Sequence, residues 1–253
     1  ANNRSLTSAR GVIMIARAFP EHPRAEIWKK WAEKVIGYSL AKPSQEDSLG
    51  YQADWFHSIL AIIEAFDMDP KMYREPMHRG YFEHIKTMMA PAGEGIGYGD
   101  GGNFHSALLP ILEKGAAVFG DGEYRYQAIA HLKRNYGVLF SGGHTIHGVL
   151  WRWMDAGRWC DDSVTPVAPK ATSVITHEKK LVMRSGQSTL AVTSYDGGSH
   201  GHFDANAICK FVHGDAVLLG DGGYRFKAPL SHNRLLWRTG KPDGPLLDHF
   251  RRT

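Results

Sequence analysis

Apolar residues recur at helical spacing through the first half of the chain. Over residues 4–19, Val12, Ile13, Ile15, Ala16 and Phe19 make such a set, and Pro20 and Pro23 stop the helix they predict. A second helix is predicted over 24–40, with Ile27, Trp28, Trp31, Val35 and Ile36 on one stripe. A polar loop separates it from a third, over 52–66, which carries Trp55, Phe56, Ile59, Leu60, Ile62 and Ile63. Asp67-Met68-Asp69-Pro70 ends that helix. A fourth spans 71–89, with Pro76 marking a kink or a late start. Residues 93–102 read as a glycine-rich loop, and two more helices are expected over 105–115 and 123–136.

From about Ala171 the period changes from helical to two, Val and Thr dominate, and Gly marks the turns. Residues 188–193 and 207–212 read as strands, and Val217-Leu218-Leu219 as a buried one. The expected fold class is α+β. A helical domain over 1–140 has paired helices and inward aromatics, as in an α/α bundle or toroid. Residues 141–170 read as a linker, and 171–253 as an antiparallel β-sandwich domain. Few strands can follow Ser231-His232-Asn233, so that sandwich is expected to be partial.

Composition narrows the class. The chain has 253 residues, 43% hydrophobic and 22% charged, which suits a globular protein rather than a disordered one. Its net charge of +4 suits an acidic polymer but is too small to imply nucleic acid, and no long Lys/Arg run is present. Seven Trp and ten Tyr fit stacking on sugars or an aromatic core equally. Two cysteines, Cys160 and Cys209, form no CxxC, and Cys209 reads as a buried thiol. No apolar run is long enough to span a bilayer.

The densest chemistry lies between the strands at 188–193 and 207–212. Gly197-Gly198-Ser199-His200-Gly201-His202-Phe203-Asp204 places two histidines at i and i+2 on a glycine-rich stretch. An extended chain turns both imidazoles to one side. That suits two ligands of one metal, or one ligand and one catalytic base; a polar hairpin with surface histidines is the plainer alternative. Downstream come Gly220-Asp221-Gly222-Gly223-Tyr224-Arg225 and Ser231-His232-Asn233. Two His and one carboxylate are a common zinc set. Asp204 is expected to support the histidine pair. His144 and His147 read as ordinary loop histidines, and Trp55, Trp151 and Trp153 as core or cleft wall.

The residues from 181 to 237 resemble the core of the heparinase II/III-like polysaccharide lyases. The resemblance rests on Ser-His-Gly-His-Phe-Asp, Leu-Gly-Asp-Gly-Gly-Tyr and Ser-His-Asn. It extends to the helical half through Asn2-Asn3, Glu46-Asp47-Ser48-Leu49-Gly50-Tyr51 and Gly97-Tyr98-Gly99-Asp100-Gly101. It implies an α/α toroid joined to an antiparallel β-sandwich, and cleavage of uronic-acid polymers by β-elimination. Asn2 or Asn3 would bind the uronate carboxylate. Tyr51 and His200 would exchange protons, while Arg225, Arg4 and Trp55 would bind substrate. His202, Asp221 and His232 would hold a structural Zn2+. Many relatives have His soon after the Asn, where this chain has Arg4.

Local readings stand beside these. Asn2 and Asn3 suit an N-cap, Tyr51 a core aromatic, Asp221 a turn, and Arg225 a solvated cation. The resemblance also implies a periplasmic or secreted location and an acidic polysaccharide partner. Competing readings are a uronate C5-epimerase on the same fold, a glycan-binding protein without turnover, and a zinc hydrolase. The helix-then-strand order argues against the last.

Overall fold

The computed structural model describes residues 3–44, 46, 48–99, 105–141, 146–177, 179–193 and 207–220. These form seven α-helices, a short 3-10 helix and one five-stranded antiparallel sheet, a mixed α+β arrangement. The helices are α1 (Asn3–Ala18), α2 (Ala25–Ala41), α3 (Leu49–Ala65), α4 (Pro76–Thr87), α5 (Leu108–Phe119), α6 (Gly122–Ser141) and α7 (Ile146–Trp159). The 3-10 helix, Pro70–Arg74, precedes α4, so Pro76 marks a late start with proline in the first turn rather than a kink.

α3 is the centre of the helical layer. Leu49, Trp55, Phe56, Ile59, Leu60, Ile62 and Ile63 are all buried, because other helices cover it on several sides. α1 and α2 pack closely through small residues: Ala9 and Ala16 with Leu6 and Ile13 on one helix, Ala25 and Ala32 with Ile36 on the other. The expected stripe on α2 is thereby corrected. Ile27 and Trp31 are 66% and 46% exposed, since the alanine face allows the closer helix approach. Ile15 on α1 and Phe19 just past its end also face outward. Residues 141–170, expected as a linker, contain α7, whose Ala156 and Trp159 join the core.

The strands β1 (Thr172–His177), β2 (Lys180–Ser185), β3 (Ser188–Thr193), β4 (Ala207–His213) and β5 (Ala216–Gly220) follow one another across the sheet. One face is turned inward by Lys180, Val182, Arg184, Thr189, Ala191, Thr193, Cys209 and Val212. Cys209 is buried as expected. β5 was expected to be buried; every residue of it is exposed, because it is the last strand of the described sheet.

Polar residues fix the sheet to the helices. A register shift between β3 and β4 lets Lys210, beside Cys209, also turn inward, where its ammonium pairs with Glu94. Arg134 from α6 reaches the same Glu94 at 3.0 Å. Arg184 donates to the carbonyls of Thr87 and Met89 at 3.3 and 3.1 Å, satisfying the C-terminal end of α4. Burial lowers the pKa of both Lys210 and Arg184, and the nearby carboxylates only partly offset it.

Candidate functional site

α1 and α3 run parallel. Thr7 Oγ1 lies 3.3 Å from Ser58 Oγ, and further on Arg17 donates to the Ala65 carbonyl at 2.9 Å. Both helices therefore start on the same side of the helical layer, with α3 extending further there, since Thr7 near the start of α1 meets Ser58 in the middle of α3. Asn3 opens α1, with Arg4 exposed next to it. Of Asn3 only the backbone belongs to the described residues. Tyr51 lies in the first turn of α3 and is half-buried, and its N–H is capped by Ser48 Oγ at 3.3 Å.

Two side-chain chains meet around that turn. In the first, Gln52 donates to the Glu46 carbonyl at 2.8 Å and accepts from the Tyr98 hydroxyl at 3.0 Å. With its proton so committed, Tyr98 accepts from His84 Nε2 at 2.8 Å, which assigns the proton of His84 to Nε2. The Lys180 ammonium sits 4.2 Å from the centroid of the Tyr98 ring. Lys180 pairs in register with Thr193, which pairs with Ala207. The chain thus leaves β3 and re-enters β4 beside Lys180, and the segment 194–206 is connected at this end of the sheet.

The second chain lies against the backbone next to Tyr51. A Cβ on Gly50 would stand 2.7 Å from His105 Cδ2, so only glycine leaves room for that imidazole. His105 Nε2 is 3.2 Å from Asp54 Oδ2, one turn beyond Tyr51 on the same helix face. Arg152 from α7 pairs with the other oxygen of Asp54 and also donates to Ser106 Oγ. Burial alone would raise the Asp54 pKa. The hydrogen bond from His105 and the charges of His105 and Arg152 outweigh it and hold the carboxyl below its usual value.

Trp55, expected near substrate by the resemblance, lies in the core. It is fully buried, stacked on Phe56 and tilted against Tyr81 with ring centroids 4.9 Å apart, as the hydrophobic stripe of α3 requires. Asn2, His200, His202, Asp204, Asp221, Arg225 and His232 lie outside the described residues, as do Asp47, Asp100 and His144. His147 lies in α7, and its side chain is likewise outside them. Among the described residues no group of three or more His, Cys, Asp or Glu is placed to hold a metal ion. No helix among them is long and apolar enough to cross a membrane.

The structure thus adds Gln52, Asp54, His84, Tyr98, His105, Arg152 and Lys180 to the surroundings of Tyr51. The sequence offered one signal for them. Gly50, a glycine in the first turn of a helix, marks a place where a neighbouring side chain comes against the backbone. No protein-family model and no curated protein matches the chain.

Proposed function

We propose that the protein is a polysaccharide lyase that cleaves a uronic-acid-containing polymer by β-elimination. The observation that carries this reading is the setting of Tyr51. It sits half-buried on a capped helix start, one turn from the half-buried Asp54–His105 pair. A phenol so held keeps its position while exchanging a proton with a bound sugar.

The reaction requires removal of the C5 proton, α to the carboxylate. The electron pair left behind forms the C4–C5 double bond as the C4–O bond breaks, and the departing oxygen takes a proton. Amide donors from Asn2 or Asn3 neutralise the carboxylate as negative charge develops. Tyr51 and His200 act as acid and base, and Arg225 grips the anionic chain. Arg4 stands where relatives of the resembled family carry His, which leaves more of the proton transfer to Tyr51 and His200. His202, Asp221 and His232 would hold Zn2+, which supplies a structural cross-link in the β half and no step of the reaction.

The finer architecture belongs to the same proposal: an α/α toroid followed by a β-sandwich. In support, the sheet face turned away from the helices carries Leu181, Met183, Leu190, Val192, Ile208 and Phe211, all half-buried, as a surface facing a second sheet would be.

A panel of uronic-acid polymers followed by ultraviolet absorbance tests the reading. A lyase creates an absorbing unsaturated product. Inversion at C5 without absorbance would make it an epimerase, and binding without either would make it a glycan-binding protein.

A further inference from the structure

A second concave site lies along the same helical layer, facing α3 at Ala61 and Ala65. Ala61 is ten residues past Tyr51, about 15 Å along the helix axis. The cavity, about 270 Å³ and open to solvent on one side, is lined by α1, α3 and α7. The two alanines are one turn apart on one helix face, and their small side chains leave the space open. Met14 and Met154, 48% and 75% exposed, flank it with flexible apolar groups.

Its polar groups are unbalanced. Arg10, Asp155 and Arg158 line it together with Trp151. Asp155 is already committed: it accepts from His57 Nε2 at 2.9 Å and Trp151 Nε1 at 2.8 Å, and pairs with Arg158 at 3.2 Å. The Arg10 guanidinium stacks on Trp151, 3.8 Å from the ring centroid, and its Nη1 is buried without a hydrogen-bond partner. Burial lowers the Arg10 pKa to about 10, which leaves it charged at neutral pH. His57, pushed down by burial, adds no positive charge there. Two guanidinium groups thus face one carboxylate, and a buried donor lacks an acceptor. Such a donor carries an uncompensated desolvation cost that an incoming anion removes.

We propose that this cavity binds a small monocarboxylate with an apolar body, its carboxylate between Arg10 and Arg158 and its body against Trp151, Ala61 and Ala65. A sugar acid fits poorly, because its hydroxyls would give up water to alanine and methionine side chains. This site is independent of the chemistry proposed at Tyr51.

The probe is phenylacetate, titrated calorimetrically into the full chain beside its neutral counterpart phenylacetamide and the polar acid galacturonate. Saturable phenylacetate binding is expected, preferred over the amide by roughly tenfold or more. Arg158→Gln, at a side chain 59% exposed, reduces that preference without disturbing the fold. Ala61→Leu fills the floor and removes binding, with thermal unfolding recorded to show that the variant is folded. Equal binding of acid and amide, galacturonate binding as tight as phenylacetate, or no saturable phenylacetate binding overturns the proposal. So does unchanged binding in folded Ala61→Leu.

Discussion

Gly50 and the His105 imidazole touch so closely that the space for a Cβ does not exist. Alanine is ordinarily the better helix residue by about 1 kcal/mol, so Gly50→Ala would stabilise an unconstrained helix start. Here His105 is tied to Asp54 and cannot simply swing away. Gly50→Ala is expected to destabilise the protein by about 1–3 kcal/mol, read as a lower denaturant midpoint. His131 gives a residue-level pH effect. Burial pushes its pKa down to about 4, and the hydrogen bond of its Nδ1 to the Gly93 carbonyl offsets this only in part. In the unfolded chain it titrates near 6.5. Between those values the unfolded state holds a proton that the folded state refuses, so stability falls as pH drops through the window. The loss from this group approaches roughly 3 kcal/mol once pH is below both values. Denaturation at about pH 7.5 and about pH 4.5 should show it, and His131→Asn should flatten the difference. Single residues of this kind were partly legible. Cys209 reads as buried from its place in an apolar strand, whereas Trp55 reads as core or cleft wall, and only the placing of Phe56 and Tyr81 puts it in the core.

Elements were legible where one face, or all faces, of the pattern is unambiguous. α3 is apolar nearly all round and is buried nearly all round. α2 carries two competing faces, one of Ile27 and Trp31 and one of Ala25, Ala32 and Ile36, and hydrophobicity alone favours the larger side chains. Close helix approach selected the smaller ones. α7 escaped notice because Gly, His and Trp dilute its helical period, although Ala156 and Trp159 anchor it. Contacts between elements explain the attachment of the sheet. Lys210 and Glu94 are 1% and 9% exposed at the side chain, so removing Lys210 leaves the buried carboxylate with Arg134 as its one remaining cation among the described residues and a gap where the ammonium stood. Lys210→Met is expected to cost about 3 kcal/mol, and adding Glu94→Gln should restore a good part of it. A double-mutant cycle by chemical denaturation measures this. If Lys210→Met proves neutral, the pair does not hold the sheet to the helices.

At the scale of the whole molecule, the candidate site is a convergence of ends. α1 and α3 run in the same direction, and β3 and β4 are joined beside Lys180, whose ammonium lies over Tyr98. Periodicity could indicate most helices and strands, α7 excepted, but not their parallel or facing ends. Asp54 and Arg152, 98 residues apart, become neighbours only through the packing of α7 near α3. The motif residues of the resembled family supply the remainder of the proposed chemistry, and Tyr51 is the member whose surroundings the described residues define most fully. The most direct measurement is therefore steady-state kinetics of Tyr51→Phe on whichever uronic-acid polymer gives the unsaturated product. The substitution keeps the ring and its packing and removes only the exchangeable proton. The account predicts a fall in kcat of roughly 10²-fold or more, with the thermal unfolding of the wild type retained. A folded Tyr51→Phe enzyme with wild-type kcat would contradict it.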